Sequence, residues 1–453
     1  MRRASLLLLA ALGWAGCGGA RPQASLDTAA QSYRAGEPGF VLDALATVRN
    51  DTTGVDLYLG VARPSLVFRQ SGDGLEAIAR WTVTVGLLGE PGRVLAPVDT
   101  LRADFASETR RPEPVWRRLR VDLPPGRYRV QAILEDRASE RTAERTALVD
   151  VFAVDARPAL GEVRLVGQGD EPVDPASVPA GLDSLRAVVQ ATAVPDGSTT
   201  VLRVVRLRSD QDPAAPPTAF TPQPGTLVRR GVDPAEVDTV QTVRQTVLNP
   251  AGVLDVEAPL PALGPGVYAV SLDLMAPDGA ALDTAERIVV VRRRDYPALT
   301  RLGDLVAPLV YLGDARELAR ITDAPAGARQ QAFDRFWGER LDDRRLAAAT
   351  VRAYYDRVEE ANRRFATYKA GWKTDPGMIY ILFGPPSYVE ATLEGERWIY
   401  GQGSSAPPVL TFERTAGRAG ETGLFTVFTL VRDRAYSEAW LRARRQWRSG
   451  VVP

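Results

Sequence analysis

The sequence predicts a multidomain protein in which two tandem all-β sandwiches precede an α+β domain. Three observations carry this. At 453 residues, with 45% apolar and 25% charged residues, the chain is too long for one ordinary hydrophobic core and has ordinary globular composition. Residues 25 to 295 read as short alternating runs broken by Pro, Gly and Asp, the pattern of antiparallel β structure. After Tyr296 the apolar spacing becomes helical.

The N-terminus reads as an export address. Arg2 and Arg3 precede an apolar run from Leu6 to Ala15, too short to span a bilayer but suited to the core of a signal peptide. The run ends Gly13-Trp14-Ala15-Gly16-Cys17, which resembles a bacterial lipobox, with Trp14 where an aliphatic residue is usual. Residues 1–17 are therefore expected to be a lipoprotein-type signal peptide, with Cys17, the one cysteine of the chain, as the lipidated residue. Gly18 rather than aspartate after it implies, by the sorting rule of such lipoproteins, anchoring at the outer membrane. The alternative is cleavage after Gly18-Gly19-Ala20, which would release a soluble protein. No later segment reaches transmembrane length, so membrane attachment is expected through the N-terminal lipid only.

The first sandwich is expected over 25–155 and the second over 156–296. Trp81, Val83, Val85 and Leu87 alternate with Thr82, Thr84 and Gly86, which gives one core face and one wet face. An internal repeat sets the boundary. Leu123-Pro-Pro-Gly126-Arg-Tyr128-Arg-Val130 returns as Leu263-Gly-Pro-Gly266-Val-Tyr268-Ala-Val270 at an offset of 140 residues, and each copy continues into Thr-Ala-Glu-Arg, at Thr142 and Thr284. The Pro-Gly-x-Tyr entry resembles the tyrosine corner of immunoglobulin-like sandwiches, so Tyr128 and Tyr268 are expected to bond nearby backbone. Gly169 to Gly181 and the Pro-rich Asp212 to Gly225 read as long loops of the second sandwich, each a solvated loop or a contact surface.

The α+β domain is expected over 297–453 in the order ααββββα. Phe333, Phe336, Trp337 and Leu341 share one helix face; Val351, Tyr354, Val358, Ala361 and Phe365 share the next, in a helix ending before Gly371. The apolar run Met378 to Phe383 reads as a strand, with others near Arg397–Tyr400, Val409–Glu413 and Leu424–Leu430, then an Arg-rich helix from Ala435 to Trp447. Gly371-Trp372-Lys373-Thr374-Asp375, followed by Ile379 to Phe383, Gly384-Pro385-Pro386 and Arg397-Trp398-Ile399-Tyr400, resembles the GWxTD domain of bacterial envelope proteins. The resemblance covers about residues 300 to 430 and implies an architecture and a lipoprotein-like context, without an activity. The motif is expected to be structural: Gly371 ending a helix in left-handed conformation, Trp372 covering a core edge, and Asp375 accepting backbone N–H groups in a turn. Gly371, Trp372, Thr374, Asp375, Gly384, Pro385, Pro386, Trp398 and Tyr400 are its marker residues.

Composition narrows the chemistry. The chain has no histidine, which removes His-based acid–base catalysis, Ser-His-Asp and Cys-His systems and the usual zinc sites. Fifty-six basic residues balance 56 acidic ones, so neither nucleic acid nor an anionic membrane surface is an expected partner. No phosphate loop, calcium loop or dinucleotide fingerprint occurs, so no cofactor and no metal are expected. The catalytic options left are a carboxylate pair drawn from Asp375, Glu390, Glu394 and Glu396, or Ser387 with Lys369 or Lys373; solvated carboxylates and a turn serine explain these residues more simply. The expectation is a non-catalytic, exported, lipid-anchored envelope protein that acts as scaffold or interaction module for an unidentified envelope protein, with Trp440, Arg444 and Trp447 as contact candidates. The alternative is an envelope protein that binds or cleaves carbohydrate.

Overall fold

The structure, a computed structural model, describes residues 36–71, 74–88, 93–101, 115–154, 157–218, 232–338, 341, 343–392, 394–401, 403–415 and 427–453. The expected signal peptide and Cys17 lie outside the described residues.

The first β unit comprises β1 (Phe40–Arg49), β2 (Thr52–Val61), β3 (Arg69–Ser71), β4 (Gly74–Glu76), β5 (Ala79–Leu87), β6 (Arg93–Leu101), β7 (Val115–Asp122), β8 (Gly126–Asp136) and β9 (Arg141–Val151). Sheet β1-β2-β7 faces sheet β6-β5-β8-β9 across one apolar core. The alternation on β5 holds for three of the four expected core residues: Trp81, Val83 and Val85 are buried while Thr82 and Thr84 between them are partly exposed, whereas Leu87, at the strand end, is exposed. Phe40 meets Trp81 edge-on at 4.9 Å between ring centres.

The second unit comprises β10 (Ala159–Leu160), β11 (Arg164–Val166), β12 (Val178–Pro179), β13 (Arg186–Thr192), β14 (Thr199–Ser209), β15 (Val232–Thr246), β16 (Val253–Pro259), β17 (Gly266–Met275) and β18 (Ala281–Arg292). β13 carries β10, β11 and β16, and the opposing sheet runs β12-β18-β17-β14-β15. The repeat falls on equivalent hairpins, β8–β9 and β17–β18. The Tyr128 hydroxyl donates to the Pro124 carbonyl and Tyr268 to the Gly264 carbonyl, each at 2.9 Å. The 169–181 segment is not all loop, since β12 within it pairs in parallel with β18.

The two units touch through polar groups. Gln190 accepts from the Val48 N–H at 2.7 Å and donates back to its carbonyl at 3.1 Å. Buried Arg287 binds Asp43 at 2.7 Å and the Val163 carbonyl at 2.9 Å, and Glu162 accepts from the Ala46 N–H.

The C-terminal unit holds α1 (Leu302–Val306), α2 (Ala315–Thr322), α3 (Arg329–Gly338), α4 (Arg344–Phe365), α5 (Asp375–Phe383), the sheet β19 (Tyr388–Ala391), β20 (Gly395–Ile399), β21 (Val409–Thr415), β22 (Val427–Leu430), and α6 (Ser437–Arg448). Two parts of the ααββββα expectation fail. Short helices α1 and α2 precede the two foreseen, and Met378–Phe383 is the body of helix α5, with Tyr388–Ala391 as the fourth strand. The helix wins because the Thr374 hydroxyl caps the Gly377 N–H, Pro376 stands in the first turn, and Gly384 closes the end at φ +79°. All nine residues of α5 are buried, so no amphipathic period could mark it.

The outer face of the β17–β18 sheet is not wet. Leu207, Val267, Ala269, Ile288 and Val290 pack outward against Tyr368, with Val427 beside them, so the C-terminal unit docks on this face. That explains the unbroken burial from Arg287 to Arg292 on β18, where a half-buried strand would alternate.

Candidate functional site

The Gly371-to-Asp375 motif forms a corner between α4 and α5, and each side chain meets a named neighbour. Gly371 packs against the turn Ala361–Asn362 of α4 so closely that a Cβ there would collide with the Ala361 carbonyl oxygen. It sits in a short 3-10 turn (Gly371–Lys373), well after α4 ends at Phe365, and does not adopt the left-handed conformation expected of it; close approach, not helix capping, calls for glycine. The Trp372 N–H donates to buried Asn362 at 3.2 Å, and the Tyr311 hydroxyl donates to the Trp372 carbonyl at 2.8 Å. The Trp372 ring is buried edge-on to Tyr311, 6.1 Å between centres. Burial, with help from the Asp375 charge, pushes the Tyr311 hydroxyl far above the usual phenol range, so it remains a donor.

Asp375 differs from expectation. Thr374 supplies the turn hydrogen bonds, accepting from Gly377 and donating to the Gly371 carbonyl at 2.7 Å. Asp375 instead reaches the sheet: it binds the Arg432 guanidinium at 2.7 and 3.1 Å and accepts from the Leu430 N–H at 2.8 Å. The helix N-terminus is thereby fastened to the end of β22 by a nearly dry, bidentate pair.

The other marker residues close the same core. The Tyr400 hydroxyl donates to the Gly384 carbonyl at 3.0 Å, and Trp398 donates to Glu396 at 3.0 Å. Pro386 is buried and Pro385 exposed. Trp440 and Trp447 are buried in this core, which corrects the expectation that they form a contact surface; the Trp447 indole donates to the Leu382 carbonyl at 3.0 Å. Arg444 lies half-buried, donating to the Leu312 carbonyl at 2.7 Å. The helix presents its Trp–Ala–Trp stripe inward, as an apolar stripe with period near 3.6 should.

The carboxylates considered for catalysis are dispersed. Glu390 pairs with Arg397 on the open edge of the sheet, Glu394 is exposed in the next turn, Glu396 faces inward beneath Trp398, and Asp375 is bound to Arg432. Ser387 accepts from the Gly401 N–H, while both lysines are engaged elsewhere. Among the described residues no group of three His, Cys, Asp or Glu is placed to hold a metal, and no helix is long and apolar enough to cross a membrane.

What the motif does border is a cleft of about 990 Å³ between the second β unit and the C-terminal unit, lined by Arg206, Arg293, Tyr296, Asn362, Trp372 and Lys373 among others. Lys369 and Lys373 are the only lysines of the chain, and both line it. Lys369 binds Asp210 and the Asp212 carbonyl at 2.8 and 2.9 Å; Lys373 reaches the Gln211 carbonyl at 2.6 Å across the Trp372 ring. Burial and then Lys369 lower the affinity of the Lys373 amine for its proton. Sequence reasoning missed Arg432, Tyr311 and the 210–216 segment as partners of the motif.

Comparison with known proteins locates the motif within a family unit. The family model described as GWxTD domain matches residues 267–449, so the chain carries a GWxTD domain there. The match begins inside β17 and thus takes in the strands β17 and β18, whose outer face the helical part covers. No curated protein matches the chain. Among solved structures, a red sea bream transglutaminase is 13% identical with TM-score 0.17, over 56% of this chain and 31% of that one. A Salmonella alpha-2-macroglobulin reacted with methylamine is 14% identical with TM-score 0.18, over 59% and 17%. Clostridium thermocellum CbhA fibronectin(III)-like modules are 11% identical with TM-score 0.16, over 54% and 90%. The chain spans less than a third of the first two.

Proposed function

We propose that the protein is a non-catalytic, exported envelope lipoprotein whose GWxTD unit, fused to the second β unit, offers the cleft between them to a protein partner. One observation carries this reading: every side chain of the motif is engaged in packing or in holding the two units together, and an open cleft remains at that junction. Lipidation at Cys17 and an outer-membrane location belong to the same proposal and rest on the N-terminal pattern. We further read both β units as immunoglobulin-like, supported by their matching tyrosine corners.

Capture from native membranes tests the partner reading. Arg206 and Ala298 are both exposed and both line the cleft, Arg206 from β14 of the second β unit and Ala298 from the segment that leads into α1. Arg206→Glu and Ala298→Glu should each remove specific co-purifying proteins, whereas Arg442→Glu on exposed α6 surface should not. If all three variants retain the same proteins, the cleft is not the contact. If the unaltered chain retains glycans instead, the carbohydrate reading takes its place.

A further inference from the structure

The segment that follows β14 leaves its own sheet and lies along the motif. Its main chain is read at successive positions: Lys373 donates to the Gln211 carbonyl, Lys369 to Asp212, and Arg432 to Ala215 and Pro216, at 2.6, 2.9, 3.0 and 3.3 Å. The Ala214 side chain packs on the apolar core of the unit. Pro213 and Pro216 favour an extended chain over 211–216, Pro217 begins a turn, and all three remove donors that this cationic wall could not satisfy. Among the described residues, polar recognition of the segment's side chains is Asp210 with Lys369 and Gln211 with the Tyr368 carbonyl. A site that grips carbonyls and asks little of side chains is sequence-tolerant, as in other modes of extended-peptide recognition.

We propose that the GWxTD face is a binding site for an extended, proline-containing acidic peptide, and that residues 210–218 occupy it as a built-in ligand which a similar segment of a partner protein displaces. This deepens the reading of the unit as an interaction module and rests on it. The partner segment carries an acidic residue for Lys369, a small residue in the Ala214 position and prolines after it. Tethering gives the internal segment a high effective concentration, so a partner must either bind more tightly or present several copies.

The test uses the full chain with 211–217 replaced by Gly and Ser residues of equal number, and a fluorescent peptide of the sequence Ser209 to Thr218. Saturable binding to the replaced chain, at least about tenfold weaker to the unaltered chain and lost on adding Lys369→Met and Lys373→Met, is the expected result. No saturable binding to a replaced chain with native circular dichroism, or equal binding to both chains, overturns the proposal. Should the replaced chain not fold, the peptide with a photocrosslinker at the Ala214 position is applied to the unaltered chain. Attachment near Tyr311 or Trp372 that unlabelled peptide competes away upholds the proposal, and its absence overturns it. Peptide binding is read on purified protein and partner capture in membranes, so either can fail alone.

Discussion

Replacing Asp375 tests whether this aspartate is a structural tie. Its carboxylate neutralises Arg432 and satisfies the Leu430 N–H, with side-chain exposures of 9% and 11% for the pair, so little water can substitute. Asp375→Ala leaves a nearly buried guanidinium and an unmet backbone donor, a loss of about 3–5 kcal/mol. Asp375→Asn keeps an acceptor for Leu430 but loses the charge, and should cost about 1–2 kcal/mol. Asp375→Ala combined with Arg432→Met should be milder than the sum of the single losses, by about 2 kcal/mol, because no lone charge remains. Urea unfolding followed by tryptophan fluorescence reads these differences, since Trp337, Trp372, Trp398, Trp440 and Trp447, five of the eight tryptophans, lie in this unit. If Asp375→Ala unfolds within about 0.5 kcal/mol of the unaltered chain, or the pair is additive, the tie is not structural.

Gly371→Ala must push α4 and the motif apart, and should lower stability by about 2 kcal/mol or more in the same unfolding assay; an unchanged midpoint would contradict the close packing. Glu162, between the two β units, has its carboxyl raised from 4.5 to about 8, chiefly by burial, with Arg287 opposing and Asp43 adding. The folded state therefore holds this proton more tightly than the unfolded state. The resulting stability is present below pH 4.5 and is lost as pH rises through 8, with a ceiling of about 5 kcal/mol. Glu162→Gln, which mimics the protonated form, should raise the thermal midpoint at pH 9 and leave it nearly unchanged at pH 5; equal effects at both would refute the assignment. Cys17→Ser should move the protein from the membrane to the soluble fraction and abolish palmitate labelling, whereas unchanged fractionation would point to removal of Cys17 with the leader.

The β units were legible because alternation is a strong local signal and because the repeat at Tyr128 and Tyr268 aligned two hairpins. Helices α3, α4 and α6 were legible from apolar spacing, but the inward face of α6 was misassigned: Trp440, Ala443 and Trp447 form one apolar stripe, which packs before it binds. The α5 helix was not legible, since a short apolar run buried on all sides has no period to separate helix from strand. Its caps, Thr374 with Pro376 and Gly384, were in the sequence as signals of a helix, as was the Asp314–Glu317 capping box of α2. The motif's partners were out of reach for a different reason. Arg432 lies 57 residues beyond Asp375, and Gln211 lies 162 before Lys373, so only the folded chain brings them together. Proline content marks 212–218 as irregular and says nothing about the surface on which it lies.

Whether the junction cleft is a partner contact is decided by placing a photoreactive amino acid at Ala298 and irradiating native membranes. A partner seated in the cleft gives a discrete protein adduct from position 298 that Arg206→Glu diminishes and that the same probe at Arg442 does not produce. No adduct at 298, or identical adducts from both positions, would contradict it.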